Sequence, residues 1–197
     1  MRVYVVRHGE SETNRAGLWT GWTDVSLTEK GVNDAMLARA FFENLKIDKI
    51  YSSDLSRATE TAKTAIPGCE PEILPLLREV NVGNIAGRPL SCVDKEKRAE
   101  TLKIGYSMFG GETNEEFRKR VTDFMKMLEA CDFDTVAVFT HAGFLRKILD
   151  EVVGAVLPRS AIVCANCTVG IFDVSDKGWA LNSWINLSST VSACDVF

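Results

Sequence analysis

Three short apolar runs, each followed by polar residues and then by a helical pattern, limit what this chain can fold into. Residues 2–6 are rich in β-branched side chains, as a buried central strand requires. Lys49–Ser52 and Thr135–Thr140 (TVAVFT) read as two further strands. Between them Thr28 caps a helix running to about residue 44, with Val32, Ala35, Met36, Ala38, Ala40 and Phe42 along it. A second helix over residues 54–66 stops at Pro67 and Gly68. Residues 70–92 carry Pro71, Pro75, Gly83, Gly87 and Pro89 and are expected to be irregular. Thr113 and Glu116 have capping-box spacing, and Phe117, Val121, Phe124, Met125 and Leu128 then recur on one helical face. That stripe is core. Another helix covers residues 144–153, and residues 169–174 and 179–185 form a terminal hairpin around 175–178. Strand–helix–strand alternation predicts right-handed parallel crossovers. The expected class is α/β, a three-layer sandwich with a mostly parallel central sheet flanked by helices.

A length of 197 residues favours one domain, residues 1–197, with room for a sizeable core. The net charge of -4 argues against nucleic acid or an anionic membrane as the main partner. A small anionic ligand needs only a local cluster of Arg and His, so it stays open. No stretch approaches the ~20 apolar residues of a membrane-spanning helix. The apolar start meets Arg7 and His8 too soon for a signal-peptide core, and the expected location is the cytoplasm. Six cysteines, at 69, 92, 131, 164, 167 and 194, read as reduced structural thiols. Cys164-x-x-Cys167 has the spacing of a redox or zinc half-site, but no second pair or nearby histidine completes it.

In an open α/β sheet, ligand-binding residues gather at the carboxyl ends of the strands. Three polar clusters fall there: Arg7-His8-Gly9-Glu10, Ser52-Ser53-Asp54-Leu55-Ser56-Arg57 and Thr140-His141-Ala142-Gly143. The chain has two histidines, and each directly follows an expected central strand. Phosphoryl transfer asks for this inventory. Arg7 and Arg57 can bind a phosphoryl group bidentately from two strand ends. A neutral imidazole can attack phosphorus with one ring nitrogen while a backbone carbonyl holds the other. Gly9 and Gly143 would let the main chain approach the anion. Residue types alone leave either histidine open as the nucleophile.

The chain resembles the phosphoglycerate-mutase-like branch of the histidine phosphatase superfamily over nearly its full length. The resemblance rests on Arg7-His8-Gly9-Glu10-Ser11-x-x-Asn14 and on Thr20-Gly21-Trp22-x-Asp24-x-x-Leu27-Thr28-x-x-Gly31. Ser52-Ser53-Asp54-Leu55-x-Arg57-Ala58-x-x-Thr61-Ala62 and Leu77-x-Glu79-x-x-x-Gly83 follow in order. Gly110-Gly111-Glu112 and Thr140-His141-Ala142-Gly143 complete it. It implies a phosphoglycerate-mutase-like fold and a metal-independent phosphomonoesterase acting on a small phosphorylated metabolite, with no cofactor. His8 would form the phosphohistidine. Arg7, Arg57 and His141 would clamp the phosphoryl oxygens, with Asn14, Thr20 and Gly21 as further substrate contacts. Glu79 would protonate the leaving oxygen and then activate water; that choice rests on the resemblance alone. Residues 84–110 would cover the pocket, and a homodimer is common among relatives.

Trp19 and Trp22 are read equally as substrate-side or as lid packing, Glu112 as a turn residue, and the charge run 94–98 as a solvated helix face. A cofactor-dependent phosphoglycerate mutase is the alternative reading, and a non-catalytic phospho-ligand binder a third. Mutases of this kind carry an aromatic-rich block after the acid and paired arginines beyond it. This chain has Glu79-Val80-Asn81-Val82-Gly83 and no adjacent arginines in the next segment.

Overall fold

The computed structural model describes residues 1–158 and 160–188. Strand β1 (Arg2–Arg7) sends alternate side chains to opposite faces of the sheet, as a period of two demands. Val3 and Val5 join Val136 and Val138 in one core, while Tyr4 and Val6 join Ala137 and Phe139 in the other. Both cores are covered. Helices α2 (Glu29–Phe42) and α3 (Ser56–Ala65) close the second core with Ala38, Phe42, Ala62 and Ala65. Helices α5 (Asn114–Glu129) and α6 (Ala142–Val153) close the first with Phe117, Phe124, Phe144 and Ile148. The expected core stripe of α5 is buried, and its capping box between Thr113 and Glu116 is formed in both directions.

The sheet has six strands in the order β3-β2-β4-β1-β5-β6, where β2 is Lys49–Ser52, β3 Glu72–Ile73, β4 Thr135–Thr140, β5 Thr168–Ser175 and β6 Gly178–Asn186. The first four run parallel. β5 pairs with β1 antiparallel and β6 with β5 antiparallel, so the terminal hairpin stands and the sheet is mixed. The reversal follows from the long connection, residues 154–167, which carries the chain from α6 to the opposite end of the sheet. The stretch 70–92 holds the two-residue β3 and three single 3-10 turns instead of longer elements. On α2 the apolar residues divide, with Ala35, Ala38 and Phe42 buried and Val32, Met36 and Leu37 exposed.

Register fixes where the chemistry can sit. Arg7 is paired with Thr140 across β1 and β4, and Ser52 with Phe139 across β2 and β4. The next residue on each strand, His8, His141 or Ser53, therefore emerges on one rim of three adjacent strands. Short helix α1 (Glu12–Arg15) follows β1, and α4 (Lys95–Ile104) lies in the segment that packs over the rim. That segment is tied down by backbone bonds from Trp19 N–H to Arg88 C=O (2.9 Å) and from Gly87 N–H to Trp19 C=O (2.7 Å). Val82, Ile85 and Val93 form a small separate core beneath it. No helix among the described residues is long and apolar enough to cross a membrane.

Candidate active site

His8 leaves β1 into a buried environment, and two hydrogen bonds define its ring. A carbonyl can only accept, so Nδ1–H donates to the Gly9 carbonyl at 2.6 Å. In the neutral ring Nε2 then holds the lone pair, and Arg57 Nε–H points at it from 3.3 Å. Burial, followed by the charges of Arg57 and Arg7, pushes the His8 pKa well below the ordinary imidazole value. The ring is thus held neutral, with Nε2 facing the cations. His141 packs edge-on to it at 5.2 Å between centroids and is held neutral by burial and Arg57 in the same way. Its Nε2 meets Ser53 Oγ at 3.0 Å, whereas its buried Nδ1 has no hydrogen-bond partner.

Arg57 extends from the first turn of α3 and is 1% exposed. Its two Nη groups donate to the carbonyls of Thr23 (2.8 Å) and Gly21 (2.9 Å), which fixes the plane of the guanidinium. Burial lowers it to about 10, opposed by Glu79 and Asp24, so it stays charged at neutral pH. Asp24 accepts from Ser56 N–H (2.7 Å) and Ser56 Oγ (2.8 Å), capping α3 in place of Leu55, which has no capping side chain. Loop 20–24 and α3 are therefore one unit. Arg7, 2% exposed, donates to the Cys164 carbonyl. Asn166 Nδ2 donates to the His8 carbonyl (3.1 Å) and to Asn14 Oδ1 (3.4 Å). Asn14 Oδ1 also accepts from Ser11 N–H, which leaves its amide NH2 for the cavity it lines.

Glu79 arrives on an irregular segment and is placed by distant residues. Its Oε1 accepts from Val80 N–H (2.8 Å) and its Oε2 from Gly143 N–H (3.0 Å) at the first turn of α6. A Cβ on Gly143 would lie 2.1 Å from Glu79 Oε1, so glycine there serves the approach of the carboxyl. Gly9 is similarly constrained by protein, since its Cβ would lie 2.3 Å from the Gly31 carbonyl oxygen. Arg120 supports the backbone around the acid. It donates to the carbonyls of Leu76 (2.8 Å), Arg78 (2.6 Å) and Glu79 (3.1 Å) and pairs with Glu112 through two bonds. Glu112 also accepts from Asn81 N–H at 2.7 Å. Trp22 Nε1–H donates to the Glu79 carbonyl (2.6 Å), and the Trp22 ring lies under Arg78, which is itself paired with Asp54.

One cavity of about 120 Å³ gathers seven of the expected residues: Arg7, His8, Asn14, Thr20, Gly21, Arg57 and Glu79. His141 stands behind its wall, which Ala142 and Gly143 complete. Gly21 and Thr20 act partly through structure, Gly21 by its carbonyl on Arg57 and Thr20 by a 2.6 Å bond to Thr13 Oγ1. The two tryptophans separate: Trp19 lines the cavity against Tyr106, while Trp22 packs the acid segment. Run 94–98 does not line the cavity, and Arg98 donates to carbonyls of its own segment. Glu112 is more than a turn residue, through Arg120. Cys164 and Cys167 are buried and unbridged, with the Cys167 thiol pushed up by burial; Cys194 lies outside the described residues. Sequence reasoning missed Arg120, Arg146 and Asn166. The first two sit among apolar helix positions, and only their charge within a core stripe marks them.

The site can be set beside known proteins. The model of the histidine phosphatase superfamily (branch 1) matches residues 3–187. The adenosylcobalamin/alpha-ribazole phosphatase of Salmonella typhimurium is 32% identical, over 76% of this chain and 78% of that protein. A probable phosphoglycerate mutase, GpmB, of Yersinia pestis is 29% identical, over 94% and 90%. The crystal structure of the alpha-ribazole phosphatase from Shigella flexneri superposes with a TM-score of 0.83 at 22% identity, covering 98% of this chain and all of that one, a likeness of fold. With nearly every strand and helix inside the matched span, this chain belongs to the histidine phosphatase superfamily, branch 1.

Proposed function

We propose that the protein hydrolyses small phosphate monoesters through a phosphohistidine on His8. One observation carries the reading: His8 is held neutral and oriented by the Gly9 carbonyl, with its Nε2 lone pair beside Arg57. In the first step Nε2 bonds to phosphorus, the bond to the leaving oxygen breaks, and Glu79 gives that oxygen a proton. In the second, Glu79 takes a proton from water, whose oxygen bonds to phosphorus as the P–N bond breaks. Arg7 and Arg57 bear the charge on the equatorial oxygens throughout. His141, whose ring packs edge-on against His8 at 5.2 Å between centroids, would join the same clamp.

Hydrolysis is favoured over phosphoglycerate transfer by the wall facing the phosphoryl pocket. Among the described residues, Leu18, Trp19, Val80, Val82, Leu90 and Tyr106 line it with Arg146 as the one further cation, so a phosphoglycerate carboxylate would meet a single arginine and not the adjacent pair that mutases of this kind carry. The test is p-nitrophenyl phosphate turnover in excess EDTA. Wild-type activity that vanishes in His8→Ala is the expected result; activity surviving in that variant would remove His8 as the nucleophile.

A further inference from the structure

A second cavity, of about 50 Å³, opens behind the first and shares three of its walls: Val80, Tyr106 and Arg146. Helix α6 serves as a ruler. Ala142, Gly143 and Arg146 line the phosphoryl cavity, and Arg146, Lys147, Leu149 and Asp150 line the second. At 1.5 Å per residue, Gly143 on the first cavity and Asp150 on the second lie about 10 Å apart along the helix. Beyond Arg146 the lining is mostly apolar, from Leu102, Phe117, Leu149, Val156, Leu157 and Ile162. Of its remaining charges, Lys147 and Asp150 face each other at 3.8 Å, each about 15% exposed or less, and so offset one another. Such a chamber suits an uncharged apolar group better than a second anion.

We propose that this second cavity is a leaving-group subsite, and that the preferred substrates are phosphate monoesters of elongated alcohols with an apolar distal end. The chain of such a substrate passes Tyr106 to reach the chamber. Arg146, 9% exposed, stands on the wall common to both cavities, so the chain of such a substrate passes beside it. This inference rests on the phosphatase reading above and adds the class of alcohol to it.

Chain length tests it directly. At ~1.2 Å per bond, about eight bonds span the 10 Å from phosphoryl site to chamber. kcat/KM is measured for ethyl, butyl, hexyl and octyl phosphate with wild type and with Leu102→Trp, which fills the chamber from an exposed position on α4. In wild type the octyl-to-ethyl ratio is expected to be at least about tenfold, from a few-fold gain per buried methylene. In Leu102→Trp the ratio falls towards one. A flat series with His8-dependent turnover overturns the subsite and leaves the phosphatase reading intact. An equal ratio in both enzymes places the apolar contact elsewhere and also overturns it. Absence of turnover on every ester overturns the phosphatase reading and the subsite together.

Discussion

The His8 half of the cavity and the Glu79 half, proposed for attack and for acid catalysis, are built on different foundations. His8, Arg57 and His141 leave three adjacent parallel strands or the helix directly after one, so sheet register alone brings them together. Glu79 lies on a segment with little regular structure of its own. It is located by side chains from loop 20–24, the Glu112 turn, α5 and the end of β4, where Thr140 Oγ1 donates to the Leu77 carbonyl at 2.7 Å. Backbone pairing presets the rim, whereas the Glu79 segment takes its position from guanidinium and indole donors. On the proposed mechanism the comparison would also separate the two chemical tasks, attack falling to the first half and leaving-group protonation to the second.

The largest effect expected after His8 itself is that of Arg57→Ala. It removes the donor facing Nε2 and the tie to Gly21 and Thr23, and should cost about three orders of magnitude in kcat/KM on all substrates. Arg120→Ala should act only on the acid half. Steady-state kinetics are expected to show a loss of about tenfold to a hundredfold on alkyl phosphates and only a few-fold on p-nitrophenyl phosphate, whose leaving group hardly needs a proton. Equal losses on both substrates would break the division. The variant leaves Glu112 with only the Asn81 N–H and without its guanidinium, so thermal unfolding should also show a stability loss on the order of 3 kcal/mol.

Histidine titration sharpens the first half. The chain has two histidines, so nitrogen-detected NMR resolves them, and neither should protonate near 6.5 in the free protein. The sign for stability follows. The unfolded chain takes up protons near 6.5 that the fold refuses, so unfolding free energy is undiminished above that pH and falls as pH drops below it. The slope is up to ~1.4 kcal/mol per pH unit for each histidine, until the folded pKa is reached. Trp22→Phe should be the mildest change. It removes one partly exposed bond to the Glu79 carbonyl, worth about 1 kcal/mol, and should lower alkyl phosphate turnover less than about tenfold.

The same division explains what the sequence made legible. The three central strands and the α5 stripe carry their own periodicity, and the clusters at the strand ends inherit their positions from it. Arg7, His8, Arg57 and His141 are readable for that reason. Arg120 is not, because it sits three residues after Phe117, at the edge of a stripe read as pure core, and meets its carbonyl partners more than 40 residues away in sequence. Gly9 and Gly143 are needed as glycines by contacts within the protein itself. Protein oxygens, 2.3 and 2.1 Å from where a Cβ would stand, already exclude a side chain there. The antiparallel placement of β5 is hidden in residues 154–167, whose path no local pattern encodes.

The central claim is that a histidine preset by the sheet takes the phosphoryl group before water does. Hydrolysis of a thiophosphate monoester made chiral at phosphorus with oxygen isotopes tests it most directly. Two successive in-line displacements, the first by His8 Nε2, predict net retention of configuration. Net inversion would mean that water attacks the substrate itself and would contradict the account.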